Sequence, residues 1–242
     1  MSSRIHQLLT TCLFVAVSIG SAFGTPSGKQ ARKAIRMVTK NSALPDNIQQ
    51  LIVVFTATPE SSTAVLVPLE KTQKEWKVVS APWEVRIGRK GFASPNAKRE
   101  GDNCSPTGLF GLGELFCYEK VVNTKMPYLQ TTPEDKWIDD PDSEDYNRHV
   151  RGATTAKSHE NLKLRSDEYK YCMAIEYNMH PVVKGFGSAI FIHLLDEKSP
   201  GPTAGCIVMH EQEMEKLLKW MDPKFKPSIL MGTEKILMSG IQ

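Results

Sequence analysis

Short runs of β-branched and aromatic residues recur from Leu51 onward, and they constrain the fold more than any other feature of the sequence. Residues 51–55, 64–67, 76–79 and 83–87 each form such a run, and turn-prone residues separate them. Runs of this length and spacing are typical of antiparallel strands joined by short connections. The sequence therefore predicts a mostly β fold.

The second half of the chain continues this pattern with a single helix. Further strand candidates lie at residues 171–177, 188–193 and 229–231. One amphipathic helix is predicted at residues 211–221, where the apolar residues fall on one face and Asp222-Pro223 ends the element. We predict one mostly β domain over residues 51–242.

Two stretches between these elements are predicted to be irregular. Residues 98–118 are rich in glycine and are expected to form a loop with a hairpin. Residues 126–150 are polar and contain three prolines, which favours a long surface excursion. Whether that excursion covers a functional site is left open.

The N-terminal residues have the layout of a secretory signal peptide. Arg4 and His6 precede an apolar run at residues 8–22, and small residues follow at 22–24. The run is shorter than the roughly 20 residues of a membrane span. We expect a signal peptide at 1–24, a linker at 25–50 with at most one short helix, and no stable membrane span after cleavage. The mature protein would then lie in the periplasm or cell envelope; an uncleaved anchor helix is the alternative.

Charge and composition argue against two classes of partner. The chain has 30 basic and 27 acidic residues, a formal charge of +3, and the two signs are interspersed. Nucleic-acid binders usually concentrate their basic residues, so we expect no nucleic-acid partner. The acidic cluster at 139–145 lacks a spaced ligand pattern and is interpreted as a solvated loop, so no metal site is expected.

The cysteines bear on both export and chemistry. Cys12 would leave with the signal peptide, and Cys104, Cys117, Cys172 and Cys206 would remain. An oxidising compartment favours disulfides, and Cys104 and Cys117 could pair across the predicted hairpin. Sequence alone does not establish the connectivity.

Cys206 and His193 form a candidate nucleophile and base. A thiol needs a nearby base to supply thiolate at neutral pH, and His193 ends an apolar strand that could hold an imidazole rigidly. Cys206 follows Gly205 shortly before the predicted helix, where backbone N–H groups could favour a thiolate and an oxyanion. On spacing alone, a buried structural cysteine beside an ordinary histidine fits equally well.

Several motifs in the same order resemble the L,D-transpeptidase catalytic domain, the YkuD-type family of bacterial cell-wall enzymes. The family has a histidine at a strand end followed by a Ser/Thr-x-Gly-Cys segment, which residues 187–193 and 203–206 resemble. Residues 99–102 and 105–113 resemble its "TPxGxFxLG" region. Residues 137–141, 146–147 and 176–178 resemble an exported subgroup, so the likeness spans about residues 51–232.

Two positions depart from that family pattern. Most members have a second histidine just before the Gly-Cys pair, where this chain has Ala204. Many have an arginine two residues after the cysteine, where this chain has Val208. His193 is therefore the only histidine that matches a catalytic base.

The resemblance implies an L,D-transpeptidase-like β-sandwich and a specific reaction that needs no cofactor. The Cys206 thiolate would attack a peptidoglycan stem peptide between an L- and a D-centre, with His193 moving protons and the N–H groups of Gly205 and Cys206 binding the oxyanion. An amine acceptor would complete an L,D-transpeptidase reaction, whereas water would make the protein a murein carboxypeptidase or amidase. A non-catalytic cell-wall-binding module, with Cys206 locked in a disulfide, is the third interpretation.

Six further residues are candidates for substrate binding. Thr203 and Ala204 flank the nucleophile, and Ser188 either contacts substrate or supports the His193 strand. Trp137, Tyr146 and Asn147 could line a peptide groove, because aromatic and amide groups suit polar peptides. Packing and turn roles are equally compatible with these three residues.

Overall fold

The computed structural model describes residues 28–41 and 44–240 of the chain. The predicted signal peptide at 1–24 lies outside the described residues. No helix among the residues that are described has the length and apolar character needed to cross a membrane.

The described residues contain thirteen strands and three α-helices. The strands are β1 (Gln50–Thr56), β2 (Thr63–Thr72), β3 (Glu75–Val78), β4 (Trp83–Arg86), β5 (Gly108–Cys117), β6 (Tyr128–Gln130), β7 (Asp135–Ile138), β8 (His149–Arg151), β9 (His159–Asn161), β10 (Tyr171–Ile175), β11 (Phe191–Leu194), β12 (Ile207–Met209) and β13 (Ser228–Thr233). The helices are α1 (Gly28–Lys40), α2 (Glu211–Trp220) and α3 (Glu234–Ser239), and Pro223–Phe225 form a short 3-10 turn.

Ten of the strands form one mixed sheet that closes on itself. Its order is β1-β13-β5-β10-β11-β12-β4-β2-β3, with β6 added beside β5, and β1 also pairs with β2. β1 therefore lies between the strand that follows it and the last strand, with Leu51 opposite both Leu69 and Ser228. All seven residues of β1 are buried, which accounts for a continuous apolar run rather than an alternating one.

The inner face of this sheet holds the largest core. Alternate residues of each strand, such as Ile52 and Val54 of β1, meet the apolar face of α2 there. Met214, Leu217 and Leu218 of α2 are buried, so the sequence interpretation of this segment as an amphipathic helix is confirmed.

Two separate layers cover the outer face. α1 and α3 pack over β1, β2 and β13. A three-stranded sheet, ordered β8-β7-β9, covers β5, β10 and β11. The predicted mostly β architecture is confirmed, with two helices beyond the one expected.

The segment predicted as a linker contains part of the fold. α1 occupies Gly28–Lys40, and its residues Ala34, Met37 and Val38 are buried. Within the described residues, the packed fold therefore includes Gly28–Lys40. The apolar residues of α1 recur at helical spacing, but many lysines and arginines stand between them. For this reason the segment resembled a polar connection.

The two stretches predicted to be irregular are largely ordered. Residues 98–118 contain β5, a ten-residue strand at the centre of the sheet, and no hairpin. A β-carbon at Gly111 would displace the carboxylate of Glu176, so this glycine lies within a strand, against a neighbouring side chain, and not in a turn. Residues 126–150 contain β6, β7 and the start of β8, with Asp135 and Ile138 fully buried, and are not a surface loop.

The proposed pairing of Cys104 with Cys117 is wrong. The four cysteines among the described residues are all free. Cys104 precedes β5 and Cys117 ends it, and ten strand residues span about 30 Å. A disulfide requires the two Cα atoms to lie within about 7 Å.

Candidate active site

Cys206 lies immediately before β12, at the edge of the outer face that the small sheet covers. Its thiol donates a hydrogen bond to the carbonyl oxygen of Ala189 at 3.2 Å, and the N–H of Phe191 donates to its sulfur at 3.4 Å. The residue is only 8% exposed. The backbone thus holds the sulfur in one position while it is protonated.

His193 lies on the neighbouring strand and on the same face of the sheet. Ile192 is in register with Ile207, so Cys206 is opposite Phe191, and His193 follows two residues later on that face. Nδ1 of His193 lies 3.1 Å from the carbonyl oxygen of Leu194. Because a carbonyl only accepts, Nδ1 carries the proton and Nε2 is the basic nitrogen. The strand register thus places the two residues on one face of neighbouring chain segments, and their roles as nucleophile and base stay a prediction.

Burial keeps both groups uncharged in the resting protein. Desolvation raises the pKa of the Cys206 thiol well above its ordinary value, and the charge of Glu160 adds to this effect. Desolvation also lowers the pKa of His193 to about 4, against the hydrogen bond to Leu194. No hydrogen bond joins the two side chains within the described residues. The resting pair is therefore a thiol and a neutral imidazole, and proton transfer awaits a substrate.

A clamp of hydroxyl groups shapes the loop that carries the nucleophile. Thr203 Oγ1 donates to the carbonyl oxygen of Cys206 at 2.6 Å and accepts from the N–H of Gly205 at 3.0 Å. Ser105 Oγ donates to the carbonyl oxygen of Gly205 at 2.6 Å. A β-carbon on Gly205 would lie 2.9 Å from the carbonyl oxygen of Cys104, so only glycine fits.

The structure changes two of the sequence expectations about the surroundings of Cys206. The N–H of Gly205 is held by Thr203 rather than directed toward a substrate, which leaves the N–H of Cys206 as the candidate oxyanion donor. β12 separates Cys206 from α2, which begins only at Glu211. The helix N-terminus therefore lies beyond the strand and does not contact the thiol.

The wall beside the sulfur is a strained turn held by Asn147. Ala189 has φ of +53°, a left-handed conformation that costs a non-glycine residue about 1–2 kcal/mol. Asn147 Oδ1 accepts hydrogen bonds from the N–H of Ala189 at 3.1 Å and from Trp137 Nε1 at 2.9 Å. Asn147 and Trp137 are both buried, so they support the wall instead of lining a peptide groove.

Glu100 is a second support for the same wall. Its carboxylate accepts hydrogen bonds from Tyr146 Oη and from Ser188 Oγ, and the N–H of Gly187 donates to Tyr146 Oη at 3.1 Å. Tyr146 and Ser188 are buried and used in this network. Both were candidates for substrate contact, with support of the His193 strand or packing as the alternatives, and these hydrogen bonds agree with the supporting role. In the sequence, Glu100 stood out only as part of the motif at residues 99–102. Its distance from Ser188 along the chain gave no indication that the two side chains are in contact.

The family comparison agrees with this arrangement. The family model of the YkuD domain, the L,D-transpeptidase catalytic domain, matches residues 51–233. This chain belongs to the YkuD family. No curated protein matches the chain.

This YkuD domain covers its nucleophile with aromatic side chains. Trp137 of β7 packs edge-on against Phe191 at 5.1 Å between ring centroids, and Tyr169 packs edge-on against His193 at 4.8 Å. Tyr169 Oη donates to the carboxylate of Glu160 on β9. The segment 126–150 therefore helps to cover the site, which the sequence left open. Neither Tyr169 nor Glu160 carried a sequence signal.

Two residues that precede Cys206 in the loop of this YkuD domain are less buried than Cys206 itself. Thr203 is half-buried and Ala204, in place of the expected histidine, is exposed there. Across from Val208, the residue in register on β4 is Arg86. Among the described residues, no group of three His, Cys, Asp or Glu side chains is arranged to hold a metal ion.

Proposed function

We propose that the protein is an exported cysteine L,D-transpeptidase that acts on peptidoglycan stem peptides through a thioester on Cys206. The observation that carries the proposal is the placement of Cys206 and His193 on neighbouring strands, facing the same side, beneath Trp137 and Tyr169. Family membership supports the reaction class, because YkuD domains are L,D-transpeptidase catalytic domains.

The first half-reaction acylates the enzyme. Nε2 of His193 takes the thiol proton as the sulfur leaves Ala189 and attacks the carbonyl carbon between the L- and D-centres. The N–H of Cys206 binds the developing oxyanion. The C–N bond then breaks, and the imidazolium gives the proton to the departing amine. D-alanine is released, and the acyl group stays on Cys206 as a thioester.

The second half-reaction transfers the acyl group. A side-chain amine of a neighbouring diaminopimelate attacks the thioester, and His193 accepts the proton that this amine loses. The C–S bond breaks, the proton returns to the sulfur, and a peptide crosslink is released. The aromatic cover over the site limits the access of bulk water, which favours an amine over hydrolysis.

Two other functions are separable from this one. A murein carboxypeptidase or amidase would use the same two residues with water as acceptor, and its product would be a shortened monomer. A wall-binding module with Cys206 in a disulfide is disfavoured, since Cys206 is a free thiol. Export is supported by the apolar run at residues 8–22 in the sequence.

The decisive experiment is intact mass of the mature protein after incubation with purified disaccharide tetrapeptide. We expect an adduct equal in mass to the acyl group on the parent protein and none on Cys206→Ala. His193→Gln should form it at least about a hundredfold more slowly, the usual contribution of a general base. A crosslinked product would identify transfer. No adduct on the parent, with the thiol shown to be free, would refute the proposal.

A further inference from the structure

Arg99 presents a guanidinium in a fixed orientation on the surface beside the active-site wall. Its Cζ lies 4.2 Å from the ring centroid of Phe186, a cation–π contact. Nη1 donates to the carbonyl oxygens of Asn96 at 3.1 Å and Lys98 at 2.7 Å. These contacts fix the guanidinium plane although the residue is exposed.

The charge of Arg99 is not used by an ion pair within the described part of the chain. The nearby carboxylate of Asp102 accepts from the backbone N–H of Arg99 and from Nζ of Lys98, not from the guanidinium. Nε and Nη2 of Arg99 have no partner among the described residues. A guanidinium with one edge fixed and the other edge free suits a bidentate carboxylate.

The position of Arg99 is rigidly tied to that of the nucleophile. The adjacent residue Glu100 holds Ser188 at 2.7 Å, and the next residue, Ala189, contacts the sulfur of Cys206. Phe186 precedes Ala189 by three residues in the same turn. Two pairs of consecutive residues, Arg99-Glu100 and Ser188-Ala189, therefore connect the guanidinium to the sulfur through one side-chain hydrogen bond.

Apolar surface accompanies the free guanidinium. Phe186 is 37% exposed and Val183, in the same loop, is 43% exposed. Tyr177 Oη donates to the carbonyl oxygen of Phe186 at 2.6 Å, which holds this loop in place. The free edge of the guanidinium therefore lies beside exposed apolar surface.

We propose that Arg99 is a specificity-determining residue that binds a free carboxylate of the peptide substrate, with Phe186 and Val183 as the apolar floor. The inference rests on the proposed function, in which the substrate is a peptide that carries free carboxylates. It assigns the anchoring of that peptide to a residue outside the Cys-His pair. Arg99 acts on binding, and the chemical step is left to Cys206 and His193.

Calorimetric titration in a Cys206→Ala background tests this inference without turnover. The ligands are the stem tetrapeptide with free carboxylates and the same peptide with its carboxylates amidated. Arg99→Gln should weaken binding of the free-carboxylate peptide about tenfold to a hundredfold, as expected for one charge-assisted pair. Arg99→Lys should recover part of this loss, because the charge returns without the fork. Arg36→Gln, the same change at an exposed site on α1, should have no effect.

The decisive comparison is between the two peptides. Amidation should weaken binding to the Arg99 protein by a similar factor and leave binding to the Arg99→Gln protein unchanged. An equal amidation penalty in both proteins, or no measurable peptide binding at all, would overturn the inference. Binding that depends on Arg99 without a thioester on the Cys206 protein would instead refute the proposed function alone.

Discussion

Burial keeps single side chains at the site uncharged. For His193, this burial should make the free energy of unfolding depend on pH. Its folded pKa of about 4 lies below its ordinary value of 6.5, so the unfolded chain binds more protons than the folded one between these two values. His193 therefore contributes full stability above pH 6.5, and that contribution is lost as the pH falls toward 4.

We expect the free energy of unfolding of the parent protein to fall by roughly 3 kcal/mol more than that of His193→Gln between pH 7 and pH 4. Urea unfolding of both proteins at several pH values in this range measures the difference. Gln is the matched variant because it keeps a polar side chain of similar size without a titrating group. Parallel pH profiles for the two proteins would mean that His193 titrates normally and is accessible to water.

At the scale of elements, α1 is part of the folded domain, and its buried face allows a direct test. Met37 is fully buried beneath this helix, whereas Arg36, the preceding residue, is exposed. Met37→Ala should lower the free energy of unfolding by about 2–4 kcal/mol through lost burial and a cavity. Arg36→Ala should change it by less than about 0.5 kcal/mol. Equal, small effects in urea unfolding would mean that residues 28–40 behave as a tethered linker.

The elements that the sequence predicted well are those with a strong local pattern. β1, with its continuous apolar run, and α2, with its apolar face and terminal Asp222-Pro223, need no tertiary information. β5 was missed because its three glycines are typical of loops, whereas here they lie within a central strand. Cys206 and His193 were identified from their chemistry and from the family motif. Asn147, Glu100 and Tyr169 act through contacts that only the fold creates, so the sequence did not predict those contacts.

At the scale of the whole molecule, the arrangement of strands keeps the cysteines apart. Cys117 and Cys172 lie on the adjacent strands β5 and β10 but belong to cores on opposite faces of the sheet. Cys172 and Cys206 share a face, yet β11 lies between their strands, which separates them by about 10 Å. Neither pair meets the geometry of a disulfide.

The oxidised mature protein should therefore contain four free thiols. Titration with Ellman's reagent in guanidinium chloride, without reductant, would count them. A fifth thiol would indicate that Cys12 is retained and that the predicted signal peptide is not removed. A count of two would show a bridge that is absent from this structure. It would revive the interpretation of a non-catalytic wall-binding module.

The neighbouring position of the first and last strands also determines when the fold can be completed. β1 pairs with β13 across most of the chain length, and Ser105 holds Gly205 from one hundred residues away. Contacts so distant in sequence slow folding, because a long loop must close before they form. A chain emerging N-terminus first cannot complete the sheet until its C-terminal strand has arrived. The thiol and its base would therefore be assembled only in the finished molecule, after any passage across a membrane in the unfolded state.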